Sequence, residues 1–84
     1  MSLTAIQRDL LVLLSEQQKD FDTISEELSA YYETSVAKGR LLPNLDTLIS
    51  DNLVVKTTNK RRADEDTYQI TEEGRQKLQK RPTF

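Results

Sequence analysis

The apolar residues of this chain fall in blocks whose spacing changes from helical to alternating and back. From Thr4 to about Glu16, Ile6, Leu10, Leu13 and Leu14 recur at the three- and four-residue steps of an amphipathic helix, with Gln7, Arg8 and Asp9 polar between them. Leu11 and Val12 widen that face, which predicts a helix embraced by its own neighbours in preference to one contacting a second molecule. A polar break follows over Gln17 to Asp20, and Phe21-Asp22-Thr23-Ile24 then has the form of a helix start. Asp22 is the expected N-cap and Phe21 a hydrophobic staple, while Glu26 and Glu27 suit the positive end of the helix dipole. Ile24, Leu28 and Tyr31 predict a second helix over 23–32 with Tyr31 in the core, and leave Tyr32 assignable to either side.

Glu33 to Ala37 is a short connection to the third block. There Leu41, Leu45 and Leu48, widened by Leu42 and Ile49, form one apolar side. At about 100° per residue the opposite side carries Arg40, Pro43, Thr47 and Ser50, with Asn44 on its flank. Proline lacks an N–H and disfavours a helical residue before it, so the pattern fits best a helix that begins near Arg40. Asp51-Asn52 supplies the stop, since asparagine tolerates a left-handed cap. Leu53 to Thr58 is rich in valine and threonine, residues 59–66 are hydrophilic apart from Ala63, and Thr67 to Ile70 alternates, which predicts a β-hairpin with a charged tip. Thr71-Glu72-Glu73 caps a last helix reaching about Lys80, with Leu78 its main apolar residue and Pro82 beyond its end. Gly74 in its first turns is expected to cost about 1 kcal/mol relative to alanine. The expected fold is mainly α with a small β-hairpin, a winged helix-turn-helix in the order α-α-α-β-β-α. It makes one domain over 1–84, with the helix-turn-helix at 23–51, the wing at 53–70 and the C-terminal helix at 72–80.

Composition narrows the chemistry. A chain of 84 residues buries roughly 60 to 65% of its unfolded surface, so a large enclosed pocket is not expected. With neither cysteine nor histidine, disulfides and thiolate or imidazole metal sites are excluded. The remaining nucleophiles are hydroxyls and lysines without an evident base partner, which argues against an enzyme and implies no cofactor. Asp64-Glu65-Asp66 lacks the spaced ligands and glycine of a calcium loop. The apolar run Leu10 to Leu14 is too short for a bilayer and the N-terminus lacks a basic signal region, so a soluble, cytoplasmic protein with no membrane partner is expected.

Charge changes the picture once it is divided along the chain. The formal net charge is −2, yet residues 1–37 hold two bases against seven acids, and residues 38–84 hold ten bases against seven acids. A basic half can meet phosphate even on an acidic chain, because screening over roughly 8 to 10 Å makes near charges count most. Lys60-Arg61-Arg62 sits at the hairpin tip, where a wing passes over a DNA backbone when the third helix occupies the major groove. A run of charge is more often a solvated surface, but this placement favours DNA contact. Lys38, Arg40, Asn44 and Thr47 are the expected contacts from the helix, arginine suiting guanine and asparagine adenine.

Gly39-Arg40-Leu41-Leu42-Pro43-Asn44-Leu45-Asp46-Thr47-Leu48, followed by Asn52-Leu53-Val54, resembles the PadR-like winged-helix transcriptional regulators. Their third helix carries a G-x-L-Y-P-x-L-x-x-L pattern before a glycine-led strand entry. Leu42 stands where that family has tyrosine, and Asn52 where it has glycine. Leu3 to Leu11 and Tyr31-Tyr32-Glu33 are most similar to the haloarchaeal branch, whether of a host, a virus or a plasmid. The resemblance implies a sequence-specific double-stranded DNA-binding regulator, a repressor that occupies a promoter. The broad apolar face of the first helix and Leu78 of the last lead us to expect a homodimer through those two helices. The alternative is a winged-helix protein-interaction module without direct DNA readout, which an apolar outer face on the third helix would favour over the polar one seen.

Overall fold

A computed structural model describes residues 3–58, 61 and 66–79 of the chain. The helices are α1 (Ala5–Glu16), α2 (Phe21–Tyr32), α3 (Lys38–Ser50) and α4 (Glu72–Gln79), and the strands are β1 (Lys19–Asp20), β2 (Val54–Thr57) and β3 (Thr67–Ile70). The expected order of three helices, a hairpin and a fourth helix is present. Its addition is β1, which lies in the supposed polar break and pairs antiparallel with β3, Lys19 opposite Tyr68 and Asp20 opposite Thr67. The sheet therefore runs β1-β3-β2, with β3 in the middle. A two-residue strand is too short to show a period in the sequence, and its hydrogen-bonding partner lies about fifty residues away.

The core is built where the helical stripes converge. Ile6, Leu10, Leu11 and Leu14 of α1, Ile24 and Leu28 of α2, and Leu41, Leu45 and Leu48 of α3 meet Leu53, Val54, Tyr68 and Ile70. Leu13 and Leu78 pack half-buried against the same core. Leu11 is thus embraced within the chain, whereas Val12 is 46% exposed.

Three features differ from the sequence reading. The N-cap of α2 is Asp20, not Asp22: its Oδ1 accepts the Thr23 N–H at 2.7 Å, and Phe21 and Asp22 fall inside the helix. With Phe21 helical, the core-facing stripe becomes Phe21, Ile24, Leu28 and Tyr32. Tyr31, expected in the core, is consequently 69% exposed. Tyr32 packs inward and its hydroxyl donates to Asp9 of α1. That hydrogen bond ties the inward tyrosine to α1. Burial, with the Asp9 contact adding to it, raises the Tyr32 phenol to about 12.

The third difference is the start of α3 at Lys38. The Arg40 and Leu41 N–H groups both donate to the Ala37 carbonyl, at 2.9 and 3.2 Å, so Pro43 lies beyond the first turn. Its missing N–H is the one that would have met the Gly39 carbonyl. Both residues are exposed, so water can satisfy that carbonyl. At the other end Asn52 adopts the expected left-handed conformation, φ 68°, and the Leu53 N–H returns to the Leu48 carbonyl at 2.9 Å.

The cap of α4 is Thr71, whose hydroxyl oxygen accepts the Gly74 N–H at 3.0 Å and donates to the Asn52 carbonyl at 2.7 Å. Gly74 proves to be a necessity: a Cβ there would stand 2.4 Å from the Leu53 carbonyl oxygen and 2.6 Å from Ile70 Cγ1. Lys80 and Pro82, the expected end of this helix, lie outside the described residues.

Candidate nucleic-acid interface

Helix α3 divides by side, although Leu42, expected on the apolar side, is 43% exposed. Leu41, Leu45 and Leu48 are fully buried, and on the far side Gly39, Arg40, Pro43, Asp46, Thr47 and Ser50 are exposed. The three leucines fix the roll of the helix about its axis, because turning any of them outward would expose a whole apolar side chain, at about 1.5 to 3 kcal/mol each. The polar side is therefore presented outward by the core.

Each described residue expected at the site has a definite place. Arg40, Asn44 and Thr47 lie at i, i+4 and i+7 and form one stripe. Arg40 is exposed, and its charge reaches Tyr32, where it opposes the rise in that phenol's pKa. Thr47 is exposed and its hydroxyl donates to the Pro43 carbonyl at 3.0 Å. Asn44 is half-buried with both ends of its amide engaged: Nδ2 donates to the Arg40 carbonyl at 2.7 Å, and Oδ1 accepts from Gln7 Nε2 at 3.1 Å. Gln7 in turn completes the capping box of α1, exchanging bonds of 3.2 Å with Thr4. Lys38 leaves the stripe and leans back over α2, its Nζ 5.9 Å from the centre of the Phe21 ring. Of the wing residues, Arg61 is exposed in the loop between β2 and β3, while Lys60 and Arg62 lie outside the described residues.

Beside these, Gly39 and Asp46 also lie on the outward side of α3. Gly39 stands on the outward side with nothing within 4 Å of where its Cβ would be. Asp46 is the acid of that side, and its charge acts on Tyr68 at the base of the hairpin. Burial pushes the Tyr68 phenol up, Lys56 pulls it partly back, and Asp46 and Asp66 push it further. Lys56 of β2 pairs with Asp66 at 3.5 Å and lies 5.9 Å from the centre of the Tyr68 ring, so hairpin base and α3 share one field. The angular position of Asp46, about 100° on from Leu45, was the available signal.

Among the described residues no cluster of acids or other donors could hold a metal ion, and no helix is long and apolar enough to cross a membrane.

Comparison with known proteins agrees with this arrangement. The sequence matches the Transcriptional regulator PadR-like family over residues 10–80, and no curated protein matches it. RosR of H. salinarum is 38% identical with a TM-score of 0.83, the alignment covering 92% of this chain and 68% of that one. In a complex structure of RosR the identity is 38% and the TM-score 0.83, with 90% of this chain and 66% of that chain covered. The chain thus spans about two thirds of RosR's length. A winged-helix DNA-binding protein from STIV shares the fold at 19% identity and a TM-score of 0.68, over 88% of this chain and 76% of its own. Family match and RosR likeness together cover the helix-turn-helix, hairpin and final helix, and this chain belongs to the PadR-like family of transcriptional regulators.

Proposed function

We propose that this chain is a sequence-specific double-stranded DNA-binding regulator that acts in the cytoplasm as a dimeric repressor. The observation that supports it best is the outward stripe of α3, where Arg40 and Thr47 are exposed opposite three fully buried leucines. Arg40 and Thr47 meet base edges, Asn44 fixes the backbone of the same turn, and Lys38 with Lys60, Arg61 and Arg62 meets phosphate. Dimerisation through α1 and α4 would cover Val12 and bring two such helices about 34 to 36 Å apart, one turn of DNA.

The test is binding of labelled genomic fragments at several salt concentrations, followed by variants on the recovered site and a scrambled one. Six to ten phosphate contacts should lose roughly 10³ to 10⁵ in affinity between 50 and 200 mM salt. Arg61→Ala with Arg62→Ala should weaken both duplexes alike. Arg40→Ala or Thr47→Ala should lower the cognate-to-scrambled ratio, by about 1 to 3 kcal/mol. If the ratio stays fixed for the helix variants, the protein-interaction reading replaces this one. Sedimentation showing monomer alone at roughly tens of micromolar would remove the dimer.

A further inference from the structure

Resting on the DNA-binding reading, we infer that Asp46 is a specificity-determining residue that selects cytosine at one base pair of each half-site and weakens binding to other sequences. Opposite its buried leucines, α3 carries Gly39, Pro43, Asp46 and Ser50, all exposed and none with a long side chain. Gly39 is required there neither by a positive φ nor by packing, since the space beyond its Cα is open. A helix so trimmed can lie close to whatever it faces. On that short surface the ionisable group is the Asp46 carboxylate, and among the described residues no lysine or arginine forms an ion pair with it.

A carboxylate accepts hydrogen bonds and donates none. Pressed against DNA it is repelled by phosphate, and this penalty applies to every sequence unless an amine compensates it. In the major groove the cytosine amine has no acceptor beside it on its own base, whereas the adenine amine adjoins a ring-nitrogen acceptor that repels a carboxylate. Guanine and thymine present acceptors. Cytosine is therefore the base the carboxylate tolerates best, and selection works by penalising the others as much as by rewarding one. At about 100° per residue Asp46 stands to the side of the Arg40-Asn44-Thr47 stripe, so it reads a different base pair from theirs.

The experiment selects binders from a random-sequence duplex pool with the full wild-type chain, Asp46→Ala and Asp46→Asn, then measures affinities for the selected duplexes and a scrambled one in one buffer. Circular dichroism verifies that each variant is folded, and asparagine, nearly the same shape, keeps the test sharp if alanine disturbs the helix. Wild type should prefer cytosine over adenine about tenfold at one position per half-site, Asp46→Ala should lose that preference, and Asp46→Asn should move it to adenine, whose edge an amide matches. Asp46→Ala should also bind the scrambled duplex about threefold more tightly, because a repulsive charge is gone. Identical base preferences for wild type and both variants would overturn the inference while leaving DNA binding intact. Failure of the wild type to bind any duplex would instead overturn the DNA-binding reading itself.

Discussion

Helices α3 and α4 begin in opposite ways. At the start of α4 the Thr71 hydroxyl takes the Gly74 N–H, and the glycine is closed in by Leu53 and Ile70. At the start of α3 the cap position is Ala37, which makes no side-chain hydrogen bond, and Gly39 faces open space. Helix α4 buries little beyond Gly74 and part of Leu78 and is secured through its first turn. Helix α3 has a weak first turn and an internal proline, and is secured by Leu41, Leu45 and Leu48. The same residue type, glycine, is thus imposed from inside in one helix and left bare outward in the other. Where local preferences and tertiary packing disagree along a chain, the disagreement tends to mark a surface kept for another purpose.

Substitution at the two starts can break or sharpen this contrast. Gly74→Ala should be the most damaging: overpacking against the Leu53 carbonyl and Ile70 should outweigh the better helix propensity of alanine, for a net loss on the order of 2 kcal/mol in urea unfolding. A stabilised Gly74→Ala protein would show that the interior does not impose this glycine. Ala37→Ser should do the reverse at α3 and raise stability by about 1 kcal/mol, since the missing cap is supplied. Gly39→Ala should add about 0.5 to 1 kcal/mol from propensity, yet weaken binding to the cognate duplex if the surface that receives the methyl group is the one proposed to face DNA. Unchanged affinity alongside the gain in stability would mean that this surface stays clear of the DNA.

The smallest effect belongs to a third helix start. At α2 the Thr23 backbone N–H, with its hydroxyl adding, holds the Asp20 carboxyl below its ordinary value of 3.8. A lowered folded pKa stabilises the protein above the unfolded value, and that contribution fades as pH falls through the folded one. Asp20→Asn keeps a capping oxygen but cannot titrate, so it should flatten the stability profile below about pH 4 by a few tenths of a kcal/mol.

Much of the scaffold was legible because its signals are local. The stripes Ile6-Leu10-Leu14 and Leu41-Leu45-Leu48, the Asn52 stop, the Thr71 cap and the alternation of Thr67 to Ile70 all lie within a few residues of what they specify. What escaped is non-local. Strand β1 pairs with β3, the inward Tyr32 meets Asp9 of another helix, and the enclosure of Gly74 depends on Leu53 and Ile70. At the candidate site, helical geometry was enough to place Arg40 and Thr47 outward. It could not reveal that Gln7 holds Asn44 or that Phe21 draws Lys38 aside.

Lys19 bears on where the molecule can operate. Its side chain is only 3% exposed, and its Nζ lies 3.0 Å from Glu27 and 3.7 Å from Glu16. Those carboxylates belong to α2 and α1, so one ammonium joins two helices at the strand that meets the hairpin. In 1 M salt the screening length shrinks to about 3 Å, and the attraction of the half-exposed Lys56 ammonium for Asp66 weakens. The Lys19 ammonium is enclosed by protein although its carboxylates reach solvent, Glu27 at 40% and Glu16 at 65% exposure, so in brine its 3.0 Å contact with Glu27 weakens less than the 3.5 Å contact on the wing.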